Sequence, residues 1–494
     1  MAVKKLYILF LLLIFLPVRL RNITSPLMNI TSFRQAQTAT VALNFYKEGI
    51  NPFKSQLDIF GMGKEKYLTL EFPLYQMIVA VLYRLFGVSD IWGRLVSVVF
   101  GFIGSIYLYL IVIALLKNTR LAVLAVFFFL SAPLNMFTHR DFLIESAVVA
   151  FLLAAFYYSI CWLNNPRVIY FFLSVVFYSL GFVQKIIYGP FLFLPLFWLN
   201  FRNSKKLISV KLIWIILIPG LIYFVWQRYA DMINLANNHS YFSSSNPEFI
   251  LWNTGNFTDR LSLYFWQFRL NNLLNGIFLK PGLILFLIGI ISYAHISSWR
   301  IFYIWLLAEI LYFLIFFRIQ SHIYYQMIIT PVTVLFIAGG LIRLGKIMNP
   351  IKIKNLNLLF ISVFASLYFF RSITSSDWDA SLDKQWYNRI LKVGESVRGE
   401  KYGLLVNPGY DWNSVYTYYP RLKLLSISAE DLTPMNLSKW QKKGYTYIIL
   451  HRYRDYSEFL SSLHSGISLE FIESYPKILE LEDFQVRLIY AENI

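Results

Sequence analysis

Long apolar runs separated by short polar segments organise this chain. Apolar stretches near 4–20, 93–116, 121–138, 144–163, 168–185, 188–201, 212–226, 277–295, 301–318, 323–342 and 357–372 read as membrane helices, since a span needs about 20 mostly apolar residues. The run 188–201 is short and holds Pro190 and Pro195, so its ends are soft. After residue 372 the texture changes. Apolar runs become short and alternate with charged stretches: a helix near 380–398, strands at 402–407 and 423–428, a helix near 430–442 and a strand at 445–451. That alternation predicts a small α/β domain. The expected fold class is therefore an α-helical polytopic membrane protein of about 11 transmembrane helices, with a C-terminal α/β domain. The expected boundaries are 1–372, including a long loop 21–92, and 373–494.

The polar segments between the runs orient the chain. Lys4–Lys5, Lys117–Arg120, Arg167, Arg202–Lys211, Arg300 and Arg343–Lys354 hold 14 basic residues and no acid. Lys and Arg are retained on the cytoplasmic face, so all six segments should share it. Segments 21–92 and 227–276 and the tail then lie outside. One apolar stretch, 73–88, must not cross, because counting it as a span would turn every later basic loop outward. It is expected to lie on the outer leaflet as an interfacial helix. Lys4–Lys5 followed by Leu6–Val18 also resembles a signal peptide, but no small-residue cleavage site comes after it, so a retained anchor is expected.

Composition agrees with this picture. Hydrophobic residues make up 57% of 494, charged residues 15%, and the mean hydropathy is +0.54. The net charge of +18 does not point to nucleic acid, because so many of the basic residues are loop anchors. The single cysteine, Cys161, excludes an intrachain disulfide and a cysteine-based metal site. Two sequons, Asn22-Ile-Thr24 and Asn29-Ile-Thr31, are short enough to arise by chance.

Chemistry is expected where ionisable residues meet the outer face, since charge at membrane depth is costly. Four groups qualify. Ser32–Ala42 brings Arg34, Gln37 and Thr38 onto adjacent faces of a helix start, or forms a plain polar surface helix. Asp58-Ile-Phe-Gly61 and Glu71-Phe-Pro-Leu-Tyr75 place acids before the interfacial helix, where dipole matching alone also favours them. His139–Glu145 puts Asp141 and Glu145 four apart on one helix face beside Arg140. Such a pair can supply a base or hold a divalent cation, or can simply cap a helix. Lys185 and the segment Arg318–Tyr325 are cations at outer span ends; converging, they would clamp a phosphate, and apart they would snorkel.

In order and spacing over residues 1–345, FRQAQTA, D-x-x-G, EFPLY, R-D-x-x-x-E, K-x-x-x-GP and H-x-YY resemble the polytopic C-type glycosyltransferases. These include protein O-mannosyltransferases and the aminoarabinose transferase of lipid A. The resemblance implies transfer of a sugar from a polyprenyl-phosphate donor to an extracytoplasmic lipid, polysaccharide or protein, in a bacterial plasma membrane. Glu71, Asp58, Asp141 and Glu145 are then the candidate catalytic carboxylates. Arg34, Gln37, Arg140, Lys185, His322 and Tyr325 are candidates for the donor and its phosphate. Glu71 and Asp141 are the residues for a divalent cation, if one is used; no other cofactor is expected. Gln37 departs from relatives that carry an acid in this motif, and an amide cannot act as a base. A lipid-linked sugar transporter and a non-catalytic membrane assembly protein are the alternatives. A transporter should show two matching halves with interrupted spans, which this chain lacks.

The charge pattern makes the sidedness testable. In a Cys161→Ser background, Tyr410→Cys should react with an impermeant maleimide in intact cells, and Ser204→Cys only after permeabilisation. Labelling at 204 in intact cells would overturn the orientation.

Overall fold

A computed structural model describes residues 2–59, 67–204, 210–348, 356–375, 383–400, 402–406, 413–428, 431–451 and 469–489. Lys205, Lys206, Lys352 and Lys354 of the basic loops, Phe60 and Gly61 of the second motif, and 380–382, Asn407 and Glu430 of the expected tail elements lie outside them.

Along the chain the helices are α1 (Ala2–Leu20), α2 (Ser32–Glu48), α3 (Leu74–Phe86), α4 (Asp90–Leu116), α5 (Thr119–Ser131), α6 (Pro133–Thr138), α7 (Glu145–Asn164), α8 (Val168–Lys185), α9 (Phe193–Ser204) and α10 (Val210–Ala236). Then come α11 (Pro247–Thr254), α12 (Phe257–Leu261), α13 (Leu263–Leu273), α14 (Leu279–Tyr293), α15 (Arg300–Ile315), α16 (Thr330–Ile347) and α17 (Leu356–Ser375). Each of the eleven expected apolar segments is helical. Eight helices, counted among the described residues, are long and apolar enough to cross a membrane: Asp90–Leu116, Glu145–Asn164, Val168–Tyr188, Leu212–Ala236, Leu263–Tyr293, Ser297–Ile315, Ile323–Ile347 and Leu356–Thr374.

Proline accounts for two departures from the expected segments. The run 121–138 is two helices, α5 and α6, because Pro133 cannot donate the hydrogen bond that would carry α5 past Ser131. The run 188–201 opens with 3-10 turns at Ile186–Tyr188 and Pro190–Leu192 before α9 begins at Phe193. The helix α3 has 13 residues, about 20 Å at 1.5 Å per residue. It buries Tyr75, Gln76, Val79, Ala80 and Tyr83 and exposes Val81, Leu85 and Phe86.

The chain forms two compact units. One comprises Met1–Thr24, Ile91–Tyr229 and Ser244–Trp378, the other Ser25–Asp90, Ala230–Ser243 and Asp379–Ile494.

Within the first unit, α7 and α8 form an antiparallel hairpin closed by the short turn at 165–167. The pair α14 and α16 pack backbone to backbone. A Cβ at Gly289 would meet the Phe336 carbonyl oxygen at 2.1 Å, and one at Gly340 the Leu285 carbonyl oxygen at 1.9 Å. Small residues allow this approach, and in a bilayer, where lipid is as apolar as Leu, close packing is the main force that joins helices.

The second unit contains the tail, with α18 (Lys384–Ser396), β1 (Tyr402–Val406), α19 (Val415–Tyr418), β2 (Leu424–Ile427), α20 (Pro434–Lys442), β3 (Tyr445–His451), α21 (Leu469–Glu473), β4 (Lys477–Glu480) and β5 (Phe484–Leu488). The sheet order is β2-β1-β3-β5-β4. Strands β1, β2 and β3 are parallel, whereas β5 pairs antiparallel with β3 and β4. Successive side chains alternate between two apolar layers: Leu404 and Val406 face Leu437 and Ile472, and Leu405 faces Ile390 and Val393. Residues of the first long loop extend the sheet. Ile59 bridges Leu424 in parallel, and Leu424 N–H donates to the Asp58 carbonyl at 3.1 Å.

The glycine contact is the most stringent packing constraint in the first unit. Gly340→Ala should lower stability in detergent by about 1–3 kcal/mol, the usual cost of overpacking. Gly220→Ala, where a Cβ meets nothing within 4 Å, should leave the thermal midpoint unchanged or raise it.

Candidate active site

Two polar clusters take up most of the candidate residues, one in each unit. In the first unit the α7–α8 hairpin sets the geometry. With 20 and 18 residues the two helices have nearly equal length, so the N-terminus of α7 and the C-terminus of α8 return to the same level. Glu145 begins α7 and Lys185 ends α8, each placed where the helix dipole favours its charge. Lys185 Nζ donates to Glu145 Oε1, and the side chains are only 8% and 0% exposed.

Aromatic rings enclose the ammonium group. Tyr325 presents its ring face at 3.9 Å from Nζ to the centroid, and Tyr188 and Tyr324 lie at 5.3 Å. These are cation–π distances. Tyr188 Oη donates to the Tyr324 carbonyl at 3.2 Å, and Tyr312 Oη to the Tyr325 carbonyl at 2.9 Å, which fixes both rings. His322 stacks on Tyr324 at 5.7 Å and lies 5.6 Å from Trp252. The structure thus brings Lys185, Glu145, Tyr325 and His322 into one neighbourhood. Tyr324 belongs to the H-x-YY motif but was given no role there, and Tyr188 and Trp252 were not anticipated; the spacing of Tyr188 three residues after Lys185 was the available signal, and Trp252 had none.

Arg140 and Asp141 lie in the turn between α6 and α7 and are buried. Arg140 Nη1 donates to the Arg21 carbonyl at 3.1 Å, next to the end of α1.

The second unit holds the other cluster. Arg34, in the first turn of α2, donates from Nη2 to both oxygens of Glu71 at 2.7 Å. Its Nη1 donates to Gln37 Oε1 at 3.2 Å, one turn along the same helix. Gln76, in the first turn of α3, donates to Glu71 Oε1 at 3.1 Å. The carboxylate is therefore oriented and neutralised by a guanidinium and an amide. Beside it is a small cavity of about 20 Å³, lined by Arg34, Gln37, Thr38, Glu71 and Gln76 among others. Buried Gln37 Nε2 has no hydrogen-bond partner among the described residues, and the cavity has room for about one water molecule.

Asp58 is placed differently. It is 5% exposed, adopts φ +57°, which Asp tolerates, and accepts from Asn44 Nδ2 at 2.9 Å. Burial raises its pKa above the ordinary carboxylate value despite the opposing Asn44 hydrogen bond. Its carbonyl supports the sheet edge at Leu424. The sequon residue Asn29 is also engaged, accepting from Thr31 Oγ1 at 2.8 Å and Gln35 Nε2 at 2.7 Å.

No group of three or more His, Cys, Asp or Glu side chains that could hold a metal ion occurs among the described residues. Both oxygens of Glu71 accept from the Arg34 guanidinium.

The architecture has counterparts among solved structures. ArnT from Cupriavidus metallidurans bound to undecaprenyl phosphate superposes with a TM-score of 0.67 at 12% identity, over 98% of this chain and 98% of that one. The fold is that of the polytopic C-type glycosyltransferases. The oligosaccharyltransferase of Archaeoglobus fulgidus, in a complex with Zn and sulfate, gives a TM-score of 0.59 at 12% identity, covering 90% of this chain and 68% of that one. The mycobacterial arabinofuranosyltransferase AftD gives 0.54 at 12% identity, over 99% of this chain and 40% of its own. Residues 71–229 match the family described as dolichyl-phosphate-mannose-protein mannosyltransferase. That stretch contains Glu71, Arg140, Asp141, Glu145 and Lys185. No curated protein matches the chain in sequence.

The buried ion pair dictates how its variants should behave. Lys185→Ala leaves Glu145 charged without its partner and should cost about 3–5 kcal/mol of stability. The double variant Lys185→Met/Glu145→Gln should recover most of that loss in a thermal melt, because neither residual side chain carries charge.

Proposed function

We propose that this chain is an integral-membrane glycosyltransferase that moves a sugar from a polyprenyl-phosphate donor to an extracytoplasmic acceptor. The observation that carries this reading is the setting of Lys185. An ammonium group has three donors, and the hydrogen-bond partner of Lys185 among the described residues is Glu145 alone; ring faces occupy much of the remaining surroundings. A phosphate oxygen would find a desolvated cation there, where charge-assisted bonding is strong. The likeness across nearly the whole chain to an ArnT structure holding undecaprenyl phosphate supports the same donor class. The charge pattern supports an integral membrane protein with its tail outside, and the resemblance is what points to a bacterial plasma membrane.

The chemistry is set by the leaving group. A lone pair on the acceptor hydroxyl or amine attacks the anomeric carbon, the anomeric C–O bond to phosphate breaks, and its electron pair leaves with the lipid phosphate. That phosphate needs no proton to depart. Lys185, with His322 and Arg140 as further candidates, stabilises the charge that develops on it. The acceptor proton passes to a carboxylate, for which Glu71 is the first choice. Asp58 is less suited, because it is engaged by Asn44 at the sheet edge. Opening of the Arg34–Glu71 pair would precede proton transfer, and Arg34 and Gln37 would then be free for the donor.

One observation favours a second reading. Glu71 is paired with Arg34, and Gln37, where the resemblance leads one to expect an acid, is an amide, as suits a non-catalytic assembly protein. Turnover decides between them. Purified protein given polyprenyl-phosphate sugars together with envelope lipid, polysaccharide and protein acceptors should release polyprenyl phosphate, and Glu71→Gln should slow that release by about two to four orders of magnitude with donor binding retained. Undiminished turnover in Glu71→Gln would remove Glu71 as the base. Absence of turnover in the unmodified protein with every donor would favour the second reading.

A further inference from the structure

A cavity in the first unit is lined by none of the candidate catalytic residues. It has a volume of about 720 Å³ and is formed by α1, α5 and α17, within the range of small-molecule sites. Its walls are apolar, with Leu11, Val123, Leu124, Phe127, Ile361 and Ala365 contributing. Its polar lining is concentrated at one end, where Thr119, Arg120 and Asn357 lie. This end coincides with the N-termini of both α5 and α17.

Charge at that end has one sign. Arg120 Nη2 donates to Asn357 Oδ1 at 3.4 Å and the Arg120 side chain is exposed. Lys117 precedes it by three residues, and no acid lines the cavity among the described residues. The two helix N-termini add positive potential. An apolar groove with a cationic rim, beside loops that the charge pattern places at the cytoplasmic leaflet, is complementary to one kind of molecule: a lipid with acyl chains and an anionic phosphate headgroup.

We infer that the α1/α5/α17 groove is a binding site for an anionic phospholipid, its headgroup on Arg120 and its acyl chain between α5 and α17. This site is separate from the proposed transfer reaction and does not depend on it. Bound there, the lipid would tie α1 and α17 to α5 and stabilise the helical unit.

Full-length protein in nanodiscs of phosphatidylglycerol and phosphatidylcholine tests this by native mass spectrometry after detergent extraction. About one phosphatidylglycerol per chain should be retained, in preference to phosphatidylcholine. Arg120→Gln should lower its occupancy about tenfold, a loss of ~1.4 kcal/mol, and Arg120→Lys should retain most of it. Ser362→Trp, which fills the groove from α17, should abolish retention while a thermal melt reports whether the chain is folded. Equal retention of the two lipids, or unchanged phosphatidylglycerol in Arg120→Gln, would overturn the site. Displacement of phosphatidylglycerol by equimolar undecaprenyl phosphate would overturn the assigned occupant.

Discussion

A buried charge must find its counter-charge, and the pairing of Glu145 with Lys185 meets that demand at the closing end of the α7–α8 hairpin. Sliding either helix by one residue would separate the two groups and leave both without compensation in a medium that solvates neither. The pair therefore fixes the register of the hairpin. It also fixes the path of the chain beyond Lys185, which turns at once through Tyr188, whose hydroxyl holds the Tyr324 carbonyl. Tyr312 on α15 does the same for Tyr325. A chain of tyrosines thus carries the position of one ammonium group into the segment before α16, and the rings that build the cation's surroundings are also structural supports.

The second unit depends on a different economy, in which segments far apart in sequence complete one another's backbone. The amide of Asn234 both donates to and accepts from Thr69 at 2.8 Å, in the manner of a strand partner. The Asp58 carbonyl closes the edge at Leu424. Asp90 accepts from Tyr418 at 2.6 Å and Tyr419 at 2.8 Å. Each contact satisfies a polar group that would be costly to bury alone. The resulting platform holds α2 against α3 and so sets Arg34 on Glu71. Arg34 Nη2 reaches both oxygens of Glu71, and such a charge-assisted contact fixes the orientation of the carboxylate.

Much of this was legible along the chain. Bilayer thickness forces long apolar runs, so α4, α7, α8, α14, α15, α16 and α17 announce themselves. The parallel strands β1, β2 and β3 are covered on both faces and read as short continuous apolar runs. The strands β4 and β5 were missed because KILE and FQVRL are short and mixed, and their strand state depends on pairing, β5 with β3 and β4 with β5. Pro133 and Pro190 mark breaks that run length alone conceals. Among candidate residues the ionisable groups stood out because charge near apolar runs needs a reason, whereas Tyr188 and Trp252 were hidden in an aromatic background of 19%.

The sequence by itself determined the membrane-helical class, the strands and helices of the tail's first part and the residues carrying unusual charge, because these follow from transfer energies that each residue brings with it; that the tail joins residues 25–90 and 230–243 in one unit was not legible. Only the tertiary structure decided which charge meets which. Glu145 rather than Asp141 pairs with Lys185, Glu71 is paired with Arg34, Asp58 is built into a sheet edge, and Gly289 and Gly340 bring two backbones into contact. Those outcomes depend on helix length, register and the approach of segments distant along the chain, and a local pattern carries no information about its partner.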